Sequence, residues 1–166
     1  MHESLMSLRA VRHYRADPVP RELVERIVAA ARWTGSARNR QPWRFVAVTT
    51  PEARTALSHC GAYALHLATA PVVLVLASTE NTFSDTLFDM GRVTQSLCLA
   101  AHELGLASCP TTFHPQDNIT RVAQLLELPG TWLPRHAIAL GYPAPAPSPS
   151  AIPTGRLPVA ELLRWH

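Results

Sequence analysis

A chain of 166 residues has the size of one domain and buries on the order of 70% of the surface its unfolded form exposes. With 47% hydrophobic and 16% charged residues, it has the make-up of a compact globular protein and not of a disordered one. Its +3 charge comes from 15 arginines and no lysine against 12 acids. The arginines are scattered, without a basic run or an aromatic-rich RNA motif, which argues against nucleic-acid binding.

The periodicity predicts a short first helix over Glu3–Val11, with Leu5 and Leu8 on its apolar side. Residues 15–20 form a proline-stiffened connector, and Pro20 suits the first position of a helix running to Trp33. Leu23, Ile27 and Ala31 make its buried stripe, and Gly35 stops it. Phe45–Val48 reads as a buried strand, and Pro51-Glu52 opens another short helix. Ala70–Leu76 is apolar on both faces, as in a central strand covered on both sides. A long helix is expected from Ser84 to Leu104, with Met90, Val93, Leu97 and Ala101 at spacings of three and four, ended by Gly105. Leu106–Thr112 reads as a strand or extended edge. Asp117 or Asn118 is expected to cap a helix carrying Val122, Leu125 and Leu126, and His136–Leu140 is the last strand.

Beyond it, Tyr142–Gly155 is dense in proline and poor in large apolar residues. In polyproline geometry this arm reaches on the order of 40 Å. It leads to an apolar helix around Glu161–Trp165, which either crosses onto a second subunit or straps its own domain. The expected organisation is a domain over residues 1–142 and an arm over 143–166. Helices alternating with strands indicate an α+β or α/β layered fold.

Met1 opens a polar segment with no basic-then-apolar leader, so no secretory signal is expected. The most apolar run, Ala70–Ala77, is too short to span a bilayer. Cys60, Cys98 and Cys109 are odd in number and lack close paired spacing, which suggests neither a disulfide framework nor a zinc knuckle. A reducing cytoplasm is the expected location. Ser58-His59-Cys60 and the His102-Glu103 pair come without a metalloprotease, nucleophile-elbow or phosphate-loop motif, and Cys109 reads as a small buried residue.

The stretch "TGSARNRQPWRF" is richer than a helix-to-strand connection requires. Ser36 and Asn39 suit hydroxyl partners, and Gln41 suits a heterocycle edge; equally, these side chains could serve the loop's own backbone. Trp43 is either a ring-stacking surface or a core anchor. In "SLRAVRHYRADPVP", Arg9 and Arg12 are three apart and would share a helical face. Guanidinium groups suit a phosphomonoester, and Arg156 is a third candidate.

Together, "LRAVRHYRADPVPRELVERIVAAARWTGSARNRQPWRFVAV", "DMGRVTQSLCLAAHELGLAS", "LLELPGTWLPRHAIALGYP" and "TGRLPVAELLRWH" resemble, in order, the FMN-dependent nitroreductase family over nearly the whole chain. The resemblance implies a three-layer α/β/α sandwich with a central mixed sheet. It also implies a homodimer with FMN at the subunit interface and the carboxyl-terminal arm exchanged between subunits. Carried over, Arg9, Arg12 and Arg156 hold the phosphate, with Ala10 beside them. Ser36 and Asn39 of the opposite subunit reach the ribityl chain and ring, and Gln41 reaches the pyrimidine edge or the ribityl hydroxyls. Pro110, Thr111 and Thr112 stack over the ring and offer a backbone N–H to its reactive nitrogen. Leu8 and Ala10 depart from the basic residue and hydroxyl common there, and Thr154 stands where some relatives have lysine. The implied activity is a ping-pong reduction of nitroaromatics, quinones or related small electron-poor acceptors by NADH or NADPH. The rivals are a flavin carrier or sensor without turnover and a flavin-dependent oxidase of a cyclic or peptide-derived substrate.

Overall fold

A computed structural model describes residues 2–79, 85–146 and 155–166. Its elements in chain order are α1 (His2–Ser7), α2 (Arg21–Ala31), β1 (Trp43–Val48), α3 (Pro51–Ser58), β2 (Val72–Thr79), α4 (Asp85–Glu103), β3 (Ala107–Thr112), α5 (Gln116–Leu125), β4 (Trp132–Gly141) and α6 (Val159–Leu162). The expected start of the long helix at Ser84 lies outside the described residues.

The four strands form one sheet in the order β1-β2-β4-β3, and each neighbouring pair is antiparallel. Among the described residues, parallel geometry enters at the outer edge through the isolated bridge Ala10–Ser108, and beyond β3 through Gly61–His114. The mixed character expected of the sheet is therefore confined to these bridges. Alternation along the strands creates two cores. Val72, Leu74 and Leu76 of β2 join Ile138 and Leu140 of β4 against Ile27 and Ala31 of α2 and Met90, Val93 and Leu97 of α4. Val73 and Val75 join Ala137, Ala139 and Cys109 against Leu57 of α3 and Ile119 and Val122 of α5. Helices on both faces of one sheet make the three-layer sandwich, and β2 is buried from Val72 to Ser78, as its two-sided apolar run requires.

Several boundaries differ from the sequence reading. The first helix stops at Ser7, short of Val11, because the chain beyond it pairs with β3: Val11 N–H donates to Ser108 O at 3.0 Å. Pro20 sits just outside α2, not at its first position. Likewise α5 begins at Gln116 behind Pro115, and Asn118, expected as a cap, donates its side-chain amide back to His114 O at 3.0 Å. β4 starts at Trp132, four residues before the expected His136, because it also pairs with the far end of β2 past a bulge at Leu76/Ala77. Trp43 is buried in the core, which selects the anchor over the stacking surface.

The carboxyl-terminal segment keeps Leu157, Val159, Leu162, Leu163 and Trp165 exposed. Residues 155–166 therefore do not strap their own domain, and α6 covers Val159–Leu162 where a helix to Trp165 was expected. Residues 147–154 of the proline-rich stretch lie outside the described part.

Leu74→Ala should lower the unfolding free energy by about 2–5 kcal/mol, since a fully enclosed side chain leaves a cavity. Leu125→Ala, at a position 46% exposed, should cost under about 1 kcal/mol. Urea denaturation of the two variants checks the contrast.

Candidate functional site

The candidate site is built around the outer edge of β3. Phe113 N–H donates to Arg135 O at 2.9 Å, and Thr111 and Thr112 stand opposite Ala137 and His136. Hydrogen-bonded and non-hydrogen-bonded pairs alternate in an antiparallel ladder. Phe113 and Thr111 therefore direct their backbone groups to β4, and Thr112 turns its N–H outward. Ser108 follows the same phase, since its carbonyl accepts from Val11 on the outer side.

The amino-terminal segment that carries Arg9, Ala10 and Arg12 runs along this edge, parallel to β3, from the Ala10–Ser108 bridge towards Pro110. Its extended course overturns the shared helical face expected for the two arginines, because residues three apart on an extended chain point to opposite sides. Arg9 folds back on α1 and donates through Nη1 to Met6 O and Leu8 O, both at 2.7 Å. It also lines a cleft of about 250 Å³ with Leu8, Ser108, His102 and Pro143. The charge of Arg12 instead reaches Cys109, Tyr14 and His66. The Tyr14 hydroxyl donates to Val11 O and pins the segment; burial, then the Cys109 thiol, raise its pKa.

A turn that sequence reasoning missed closes this edge. Gly61 bridges His114, and a Cβ on Gly61 would stand 2.8 Å from Thr112 O, so glycine is what allows the turn to approach β3. It leads to a single 3-10 turn, Leu65–Ala68, carrying His66. The Nε2 of His66 is buried and has no hydrogen-bond partner among the described residues. Burial first, then Arg12, hold this imidazole below the ordinary histidine value, opposed by backbone hydrogen bonding at Cys109 and Tyr63. Tyr63 and Leu65 are exposed beside it. The signal available in the sequence was a glycine two residues before an aromatic, in "HCGAYALH".

On the helix side of β3, Pro110, Thr111 and Thr112 line a cleft of about 490 Å³ with Leu87, Gly91 and His136. Thr112 Oγ1 and His136 Nδ1 are 3.2 Å apart. Burial, then Arg135, lower the His136 pKa.

Ser36, Asn39 and Gln41 lie elsewhere, on the opposite flank of α4. Gln41 N–H donates to Ser36 Oγ at 2.9 Å, and Gln41 Nε2 donates to Asn39 Oδ1 at 3.1 Å. Asp89 of α4, 1% exposed, accepts from Ala37 N–H at 2.9 Å and pairs with Arg92 at 3.4 Å. Arg40 pairs with Asp85. Asp89 too was missed; its signal is an acid four residues before Val93, on the apolar stripe, where a charge must find partners. Arg156 Nη1 donates to Gly155 O at 3.0 Å within its own segment.

The remaining candidates have structural partners. His102 Nε2 and Ser7 Oγ are 2.9 Å apart, and Ser4 Oγ donates to Glu103, tying α1 to α4. All three cysteines are free and buried, and burial pushes each thiol above its ordinary value.

Helices layered on both faces of one antiparallel sheet, with a cleft between α4 and the outer strand β3, place the chain among three-layer α+β proteins. The profile of the Nitroreductase family matches residues 5–65 and 55–142, and the chain belongs to that family. It is 31% identical over 196 residues to an NADH dehydrogenase of Thermus thermophilus, covering 95% of this chain and 92% of that protein. It is 31% identical over 149 residues to a Methanothermobacter thermautotrophicus protein assigned the name NADH dehydrogenase/NAD(P)H nitroreductase, covering 87% and 78%. An FMN-dependent nitroreductase from Clostridium difficile shares the fold with a TM-score of 0.81 at 24% identity, over 88% of this chain and 89% of that one.

Asp89→Ala should strand the Ala37 N–H and cost about 1–3 kcal/mol, whereas Asp89→Asn, which retains an acceptor, should recover most of it. Amide exchange at Ala37 should quicken in the alanine variant alone.

Proposed function

We propose that this nitroreductase-family enzyme binds FMN along the outer edge of β3. There it uses NADH or NADPH to reduce nitroaromatics, quinones or related electron-poor acceptors. The observation that carries the reading is the outward Thr112 N–H beside the Pro110–Thr112 cleft, on the strand edge along which the segment with Arg9 and Arg12 runs. These groups fit the cofactor: a fixed N–H suits a ring nitrogen, and a cation suits anionic oxygens.

When bound, FMN supplies two-electron chemistry in alternating half-reactions with the nicotinamide donor and the acceptor. Arg9, Arg12 and Arg156 would hold the phosphate from different sides, with Ala10 between the first two. Pro110, Thr111 and Thr112 would lie against the ring, and the Thr112 N–H would hold its reactive nitrogen with a fixed backbone dipole. The chain need supply no side-chain acid or base for the transfer itself. β2 ends at Thr79 and α4 begins at Asp85, a short connection in the sequence, which supports an open face for exchanging donor and acceptor.

A homodimer fits the division of the site. Ser36, Asn39 and Gln41 lie across α4 from β3, behind an exposed ridge of Leu87, Phe88, Gly91 and Gln95. A second copy meeting this ridge would bring its own loop to the β3 edge. The exposed tail beyond Gly155 would pack on the partner, in the groove of about 880 Å³ between α2 and edge strand β1 lined by Val24, Val28, Phe45 and Ala47. Free, buried cysteines fit a reducing cytoplasm, and no helix among the described residues is long and apolar enough to cross a membrane.

Purified protein should carry a yellow chromophore that acid releases as FMN, and NADH or NADPH should bleach it anaerobically until an acceptor such as a quinone is added. A colourless protein that fails to take up FMN would refute the proposal. Arg12→Ala should weaken FMN binding by about 2 kcal/mol, the scale of a charge-assisted contact, as read by quenching of FMN fluorescence.

A further inference from the structure

We propose that the cleft between α4 and β3 seats the electron acceptor as an uncharged quinone. His136 selects it: Thr112 Oγ1–H donates to the ring's Nδ1, and Nε2–H donates to a quinone carbonyl oxygen. This inference rests on the FMN reading above and names the acceptor class and the residue that recognises it.

Thr112 and His136 stand opposite each other on β3 and β4. Because the Thr112 N–H turns outward, the two form a non-hydrogen-bonded pair, the kind whose side chains come closest. Ile138 and Leu140, two and four residues further along β4, join the core beneath α2 and α4, so His136 points to that same helix side. There its partly exposed ring lines the cleft of about 490 Å³ together with Pro110, Thr111 and Thr112. Thr112 Oγ1 and His136 Nδ1 are 3.2 Å apart. Burial first, then Arg135, disfavour the imidazolium, and the ring is neutral at pH 7. A neutral imidazole carries one proton, and a hydroxyl that donates to Nδ1 leaves that proton on Nε2.

The rest of the lining chooses the ligand. Leu87, Met90 and Pro110 give the cleft apolar walls, and Thr94 Oγ1 is committed to Met90 O at 2.7 Å. Among the described residues, no Asp, Glu or Arg lines it. A charged acceptor would lose water here without meeting a counter-charge. An uncharged ring meets apolar walls and a fixed donor, the make-up of a small-molecule site. A carbonyl oxygen accepts a hydrogen bond more strongly than a nitro oxygen, so the imidazole N–H favours a quinone over a nitroaromatic. Thr112 borders the cleft, and on the reading above its outward N–H holds the cofactor ring, so an acceptor seated here lies beside that ring. A quinone leaves as its hydroquinone after taking two electrons and one proton from the reduced cofactor and a second proton from water. His136 keeps its own proton throughout.

The first measurement needs no turnover. In oxidised native holoprotein with 15N-labelled histidine, the His136 proton should sit on Nε2, and a naphthoquinone should shift that signal in a saturable titration. A dinitrobenzene should bind more weakly. A ring protonated at Nδ1, a signal that saturating quinone leaves unmoved, or the reverse order of affinities overturns the inference without any variant. The second mixes anaerobically photoreduced holoprotein with the naphthoquinone or with ferricyanide, a highly charged acceptor that the cleft does not suit. His136→Phe, which keeps a flat ring and removes the donor, should lower the ratio of the two reoxidation rate constants about tenfold, the scale of one lost hydrogen bond. His136→Gln, which retains a donor, should restore much of it. A ratio unchanged by His136→Phe overturns the inference and leaves the FMN reading standing. Failure of the native chain to bind FMN would instead sink that reading, and this inference with it.

Discussion

The arrangement at the edge depends on one proline. Pro110 occupies a β3 position of the same phase as Ser108 and Thr112, so its nitrogen faces outward. A proline there costs the ladder to β4 nothing, which is why it is tolerated within a strand. It also lacks the N–H that a further strand would need. The amino-terminal segment pairs with β3 at Ser108 and can go no further along the ladder. The next outward donor, on Thr112, is thus kept from backbone pairing by covalent structure, while β4 holds its direction fixed. A sheet edge that would otherwise invite another strand becomes a short, rigid row of polar groups facing the Gly61–His66 turn.

The long helix α4 divides what the sequence presents as one constellation. Its buried stripe packs on the sheet, so the residues between stripe and solvent reach two separate clefts: one with Gly35 and Ser96, the other with Pro110–Thr112 and His136. Leu87, Gly91 and Gln95 border both. Two exposed apolar side chains, Leu87 and Phe88, flanking a glycine at the crest make a surface suited to close approach of another chain. On the proposed reading, the separation of the two residue sets within one chain is resolved by that approach.

Much of the layering was legible in the sequence because it follows from periodicity. The β-branched run at Val72–Leu76 had to be a central strand, and Met90, Val93, Leu97 and Ala101 had to face a sheet. Periodicity failed where pairing competes with helix formation. Leu5 and Leu8 suggested a helix through Val11, yet six residues of helix gain little intrinsic stability, and the ladder partner at Ser108 takes over. That one error placed Arg9 and Arg12 on a common face which does not exist. Asp89 and His66 left only faint local signals, for another reason. Their significance lies in what long-range folding sets beside them (the Ala37 N–H in one case, Arg12 and β3 in the other), and no local pattern announces such a neighbour.

The loop from Thr34 to Pro42 illustrates how a strained segment is held ready. Arg38, Asn39 and Gln41 have φ of 53°, 53° and 47°, left-handed values that cost non-glycine residues on the order of 1 kcal/mol or more each. Gln41 bears the further restriction of preceding a proline. Hydrogen bonds to Ser36 Oγ and Asp89, the ion pair of Arg40 with Asp85, and the buried Trp43 at its exit offset that cost within a single chain. Of these, Asp89 matters most, because a carboxylate at 1% exposure cannot give up its partners without leaving a charge unpaired in the core. The contacts that hold the loop's shape thus come from its own chain. A polar surface shaped in advance loses little conformational freedom on binding. The same constraints that make the loop costly to form thus make it inexpensive to use.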